Sequence, residues 1–402
     1  MSNYLADNSY LALKPQVATT TAILPTNFVP LISESLKLNP NLVADRRLKG
    51  LSWKSDDLLR GSREVSGEFS VYADPDTLGH LLNMIYLKGS TSGSGADGYT
   101  HPFTVGEGDS YSIEVSRGVF ATRIWGARGE SLKLDFQDQK MMAVVSVKAL
   151  GIFTTASLAG TLTGSVTTLV LSQENDLRPS DGLVVGDVLR VTLTNLDTVD
   201  LTLTSVNADG KTVGFASTAV EAIAGGAIFL LAQTPSYSGL QDPFYLGGAL
   251  VGVGVDDTAS DTAAASEATA TPVYNLSLNF KNNLLDAPTT GRMGFGALLN
   301  QVREGSIELS RLFTDPSQYM KWVENVKQAV TIIVSGRHIK TDFTTKELLT
   351  VKCFNVKLLN NEQPLTVGQY VFDKQTLEMM YDSGDAKAIT IDLVNRTAAA
   401  SY

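Results

Sequence analysis

The chain carries one pattern twice, and any fold has to account for that repetition. Residues 63–87 read REVSGEFSVYADPDTLGHLLNMIYL, and residues 303–326 read REGSIELSRLFTDPSQYMKWVENV. With Thr314 as one extra residue in the second stretch, Arg63/Arg303, Glu64/Glu304, Ser66/Ser306, Glu68/Glu308, Ser70/Ser310, Asp74/Asp315 and Pro75/Pro316 are identical. Agreement of this density is the mark of an internal duplication.

Each copy begins with polar and apolar residues in alternation, the period of a half-buried strand. Val65, Phe69 and Val71 point one way and Ser66, Glu68 and Ser70 the other; in the second copy Ile307 and Leu309 take the apolar face and Ser306, Glu308 and Ser310 the polar one. Apolar residues exchange freely in a core, whereas the Ser-Glu-Ser face is repeated unchanged. That face therefore either meets something specific or is simply solvated. Asp-Pro then predicts a helix start, with Asp74 and Asp315 as caps and Pro75 and Pro316 in the first turn. Leu78, Leu81, Leu82 and Ile85 follow at helical spacing, as do Tyr319, Trp322, Val323 and Val326, so each helix is expected to cover an apolar sheet face.

The repetition extends upstream. ESLKLNPNL and YNLSLNFKNNL align through Leu36/Leu276, Leu38/Leu278 and Asn39/Asn279. The segments that follow, ADRRLKGLSWKSDDLLRGS and LDAPTTGRMGFGALLNQ, have the length of protruding hairpins or loops. Downstream, SVKALG and TVKCFN read as equivalent, and KGSTSGSGADG reads as a flexible linker. Short β runs between about Ala156 and Gln233, broken by Asn-Ala-Asp-Gly and Gly-Gly, have no counterpart in the second copy. They predict a small inserted barrel or sandwich. The expected fold is mainly β, a tandem duplication of β-sandwich or barrel units with one flanking helix each, plus that insert. The expected division is an extended N-terminal arm over 1–30, copy one over 31–155, the insert over 156–235, a return strand and acidic Ala/Thr/Ser connector over 236–272, and copy two over 273–402.

Composition narrows the function. Of 402 residues, 43% are hydrophobic and 18% charged, as in a folded protein. The net charge of −10 disfavours tight binding to nucleic acid, which needs basic stripes. The single cysteine, Cys353, excludes an internal disulfide framework and lies in an alternating apolar run where a small buried side chain is expected. The first residues lack a basic and an apolar region, so no signal peptide is expected, and no apolar run approaches a membrane span. His80, His101 and His338 show no metal-ligand spacing, and neither a Gly-x-Ser-x-Gly elbow nor a phosphate loop occurs. No catalytic, cofactor or metal site is expected.

The order of features resembles the major tail tube proteins of long-tailed, non-contractile bacteriophages, in the group whose chains hold two tube folds. The features are an extended N-terminal arm, a strand with a long loop, Arg-Glu-x-Ser-x-Glu with Asp-Pro opening a helix, and YSIEVSRGVFATRIWGARGESLKLDF before SVKALG. The resemblance covers most of 10–155 and 240–396. It implies a virion protein, made in the bacterial host cytoplasm, whose trimeric, pseudo-hexameric rings stack into a tube that conducts double-stranded DNA and encloses a tape-measure protein. Its partners would be further copies of itself, that tape-measure protein, and the tail terminator and tail-tip proteins. On this reading Ser66, Glu68, Ser70, Ser306, Glu308 and Ser310 line a hydrophilic, net negative lumen. Arg46, Arg47, Lys49, Trp53, Lys54, Asp286 and Arg292 join one ring to the next. A tail-tip hub ring, a contractile-tail inner tube and a surface adhesin are the alternatives.

Overall fold

The computed structural model describes residues 9–40, 42–44, 58–60, 63–95, 97–118, 120–172, 178, 180–237, 241–255, 272–288, 295–313, 316–339, 345–365, 370–398 and 402. The fold is mainly β, with a large sheet system, a separate closed barrel and two short α-helices, α1 (Pro75–Ile85) and α2 (Ser317–Val323).

The duplication is visible as connectivity. In copy one, Leu31–Glu34 and Lys37–Asn39 pair with Glu64–Tyr72, which pairs with Lys140–Ala149, which pairs with the second half of the long strand Ala121–Gln137. The first half of that long strand pairs instead with Tyr111–Ser116 on one side and Gly151–Phe153 on the other. Copy two repeats the scheme. Asn275–Lys281 pairs with Glu304–Leu312, then Phe372–Met380, then the second half of Lys346–Glu362, whose first half pairs with Gln328–His338 and Ile389–Asn395. Even an irregularity is shared. Each long strand carries a β-bulge at one place, Glu130 between Gly129 and Ser131, and Leu359 between Leu358 and Asn360. A bulge is a local geometric commitment, so its recurrence under unlike side chains marks equivalent backbones.

This connectivity redraws the expected boundaries. Tyr10–Pro15 is not an extended arm; it pairs antiparallel with Tyr111–Ser116, and Tyr10, Leu11, Ala12 and Leu13 are buried. Its counterpart is Ala249–Val255, which pairs with Gln328–His338. The return strand thus belongs to copy two, and the connector follows that copy's first strand; residues 256–271 of it lie outside the described residues. SVKALG falls in and just after Lys140–Ala149, whereas TVKCFN falls in Lys346–Glu362, the counterpart of Ala121–Gln137, so the two motifs are not equivalent. The Gly/Ser-rich stretch after α1 is no linker: Leu87–Lys88 and Ser92–Ser94 each pair with Gly98–Thr104, and copy two shows no matching hairpin among the described residues.

In α1, Asp74 Oδ1 accepts hydrogen bonds from the amides of Asp76 and Thr77 at 3.1 and 2.9 Å, as the Asp-Pro signature predicts. Leu78, Leu81, Leu82, Met84 and Ile85 are buried, each contributing roughly 1.5–3 kcal/mol of transfer free energy. Asp315 lies outside the described residues. α2 departs from the expectation: it ends before Val326, and Tyr319, Met320 and Val323 are 44%, 49% and 60% exposed. Trp322 packs down, its Nε1 donating to the Leu359 carbonyl at 3.2 Å. The difference has a physical source. α1 is wedged between the copies, under the copy-two strand Ile389–Asn395 and against the Tyr402 ring, and nothing equivalent covers α2 among the described residues.

The insert forms a closed barrel of Thr155–Leu158, Ser165–Ser172, Thr212–Ala219, Thr198–Val206, Val188–Thr192 and Ala227–Leu230. Its core of Leu169, Leu189, Leu201, Val213, Phe215 and Ile228 continues into Trp125 and Phe153 of copy one. Trp125 fits a slot that glycines leave open: a Cβ on Gly151 or Gly182 would come within 2.2 or 2.5 Å of its ring. The barrel is also locked by charge. Arg123, buried on the long strand, bonds both carboxylate oxygens of Asp187 at 2.8 and 2.6 Å, and its Nε bonds Glu114 at 3.1 Å.

Candidate functional site

The six Ser-Glu-Ser residues can be placed by register. Glu68 lies opposite Ser146, Ser146 opposite Ser131, Ser131 opposite Lys281, and Lys281 opposite Glu304. Side chains directly opposite in a ladder share a face, as do residues two apart. Ser66, Glu68, Ser70, Ser306, Glu308 and Ser310 therefore all lie on one face of one sheet that runs through both copies. The link is the pairing of residues 131–135 of copy one with residues 277–281 of copy two.

Exposure on that face is uneven. Glu68 and Glu308 are exposed and Ser66, Ser306 and Ser310 half-buried. Ser70 is buried, its hydroxyl 2.6 Å from that of Ser33, so it supports the sheet edge rather than presenting an open surface. The Glu68 carboxylate accepts from Ser146 Oγ at 2.8 Å, which holds it flat along the sheet.

The charge of this face differs from the expected acidic wall. Lys281 stands opposite Glu304, Lys357 opposite Glu378, and Lys374 opposite both Glu362 and Ser310. Lys133 reaches Asp135 along its own strand at 3.0 Å. Cationic and anionic side chains interleave across the sheet, while Glu68 itself lies opposite Ser146 and Glu308 between Ser277 and Thr376. The motif could not show that interleaving, because the lysines come from strands distant in sequence.

The residues expected to join rings fall in two groups. Arg46, Arg47, Lys49, Trp53, Lys54 and Arg292 lie outside the described residues. Asp286 lies in the hairpin of Leu284–Pro288 and Phe295–Asn300, which packs sideways on copy one. Its carboxylate is 3.6 Å from Lys148 Nζ, and Lys148 also donates to the Leu284 carbonyl at 3.1 Å. Leu284 and Leu298 close over Leu150, while Arg128 donates to the Leu298 carbonyl at 3.0 Å. Asp286 thus serves the junction between copies within one chain.

A cavity of about 510 Å³ opens at that junction, lined in part by Tyr86, Asn282, Arg303, Met379 and Tyr381. Burial lowers the Arg303 guanidinium below its ordinary range, and the group donates to the Gly106 carbonyl. Asn282 donates to the carbonyls of Gly129 and Ile85 at 2.9 and 3.3 Å, fastening the end of Asn275–Lys281 beneath α1. These groups hold the two copies together. Cys353 is fully buried and burial pushes its thiol up to about 12, so it is held as an unreactive thiol. Among the described residues no cluster of His, Cys, Asp or Glu has the arrangement of a metal site, and no helix is long and apolar enough to cross a membrane.

No protein-family model matches this chain, and no curated protein matches it.

Proposed function

We propose that the chain is the structural subunit of a phage tail tube, with three chains forming a pseudo-hexameric ring and rings stacking into a conduit. The observation that carries this reading is the single polar face that runs unbroken across both copies of a duplicated β unit. A duplicated unit joined edge to edge supplies two adjacent members of a ring, and rotational symmetry then acts on pairs. Closure of the sheet into a barrel also removes its exposed edges, which are otherwise sites of uncontrolled pairing.

The lumen face would carry Ser, Thr and Asn with interleaved Lys and Glu. Duplex DNA sliding along it would meet cations already neutralised by neighbouring carboxylates, so few counterions would be released by contact and binding would stay weak. The tape-measure protein would occupy the same channel before DNA. The fold serves this role through stiffness and repetition, and the chain makes its partner surfaces from its own edges.

Negative-stain microscopy of the purified protein tests the reading. Striated tubes, or rings with threefold symmetry, are expected. Isolated rings that never stack would shift the assignment to a tail-tip hub, and a stable monomer at high concentration would refute it.

A further inference from the structure

The two ends of the continuous sheet are the free halves of a junction that the chain has already made once inside itself. Within the chain, residues 131–135, just past the bulge at Glu130, pair with residues 277–281. The bulge at Leu359 makes residues 360–364 the equivalent of 131–135. The ladder sets the other half: Lys37 opposite Ser66 matches Asn279 opposite Ser306, which makes residues 35–39 the equivalent of 277–281, two residues away from the alignment that Leu36/Leu276 suggests. Among the described residues, Asn360, Asn361 and Glu362 pair only with Phe372–Met380, and Lys37–Asn39 only with Glu64–Tyr72. Each segment therefore has one open side, and the two open sides are of complementary kind.

We propose that one chain joins the next by repeating this internal junction, the edge at 360–363 of one copy lying antiparallel to the edge at 36–39 of a second copy of this chain. Carrying over the internal register places Glu362 opposite Lys37, as Lys133 lies opposite Asn279, and Asn360 opposite Asn39, as Ser131 lies opposite Lys281. Two further observations point to the same occupant. α1 is buried because copy two covers it, while its counterpart α2, beside the open edge, exposes Tyr319, Met320 and Val323. Asn361 is buried at this edge with neither its Oδ1 nor its Nδ2 partnered, and such an amide is costly until a neighbour satisfies it. Pro40 and Pro364 bracket the contact. Proline on an edge strand limits pairing to a short, defined stretch. The contact is head-to-tail, so it generates either a closed ring or an open helix according to its rotation.

The inference deepens the tube reading, and a cysteine pair separates the two. In the Lys37→Cys, Glu362→Cys protein, directly opposite Cβ atoms would lie about 4.5–5.5 Å apart, within reach of a disulfide after small adjustment. Diamide accepts the two hydrogens lost by the thiols, and buried Cys353 stays out of the reaction. Non-reducing gels should show covalent multimers up to the ring size. The Lys133→Cys, Asn279→Cys control should oxidise without any gain in mass, because that bond stays within one chain. Asn39→Cys with Asn360→Cys tests the same register if the first pair folds poorly. Rings or tubes on the grid with both edge pairs left reduced would overturn the inference and leave the tube reading standing. Multimers from an out-of-register Ser35→Cys, Glu362→Cys pair in place of the designed ones would also overturn it. Monomers on both grid and gel would refute both.

Discussion

Two side chains show how much the fold invests in fixing its parts. Arg123 is enclosed by Glu114 and Asp187, and Glu114 in turn accepts from the Tyr10 hydroxyl and from Gln233 Nε2 at 3.1 Å. The network thus ties the first strand, the long strand, the barrel and the exit from the barrel. Removing one partner of a buried ion pair leaves the other charge uncompensated, so Arg123→Met should destabilise the protein by about 3–5 kcal/mol. Urea unfolding checks this, and adding Asp187→Leu should recover part of the loss. His80 is the second case. Its Nε2 lies 3.1 Å from Asn27 Nδ2 and its Nδ1 lies 3.3 Å from the Tyr111 hydroxyl. Burial, followed by the nearby Lys88, pushes the imidazole from 6.5 down to about 3. Between these values the unfolded chain binds a proton that the folded chain does not, so stability rises with pH across that window and is lost as pH falls through it. The loss from this group alone is on the order of 4 kcal/mol at the acid end. The urea midpoint measured from pH 7 to pH 4 should fall, and His80→Gln should flatten that fall.

Among the elements, the helices carry the clearest contrast. Both derive from the same Asp-Pro unit, yet one is a core element and the other a surface one. Leu81→Ala in α1 should cost about 2–5 kcal/mol because it leaves a cavity. Val323→Lys in α2 should change monomer stability by no more than about 0.5 kcal/mol, as at an ordinary exposed site. On the proposed assembly the same lysine should abolish oligomers in sedimentation velocity, since it would be trapped against the next chain. Normal assembly of that variant would count against α2 as a contact. The strand-helix unit was legible from sequence because alternation and Asp-Pro are local signals. The cover over the helix was not, since a helix's apolar stripe says that something packs there and not whether it comes from the same chain. The bulges were equally invisible, because Glu130 and Leu359 share no chemistry and only backbone pairing reveals them.

For the whole molecule, the sequence showed the duplication and the place of the insert but misplaced where each copy begins. Tyr10–Pro15 and Ala249–Val255 share no residue pattern, and each finds its partner strand tens of residues away or more. Strand membership at that range is decided by what the sheet edge accepts, which composition does not record. The polar face was legible as a motif at Ser66, Glu68, Ser306 and Glu308. Its charge balance was not, since Lys281, Lys357 and Lys374 reach it only through folding.

The barrel enters and leaves on neighbouring strands, Thr155 lying opposite Phe229 in the ladder, and it sits between the last strand of copy one and the first of copy two. Its two tethers therefore meet at a single doorway, and the sheet framework runs past that doorway without using any barrel strand. A mount of this kind keeps the order of the scaffold strands independent of the barrel's own, while Asp187 against Arg123 and the shared packing around Trp125 fix how the load is seated. Because the described residues of copy two carry no such mount, the chain holds one load for every two structural units.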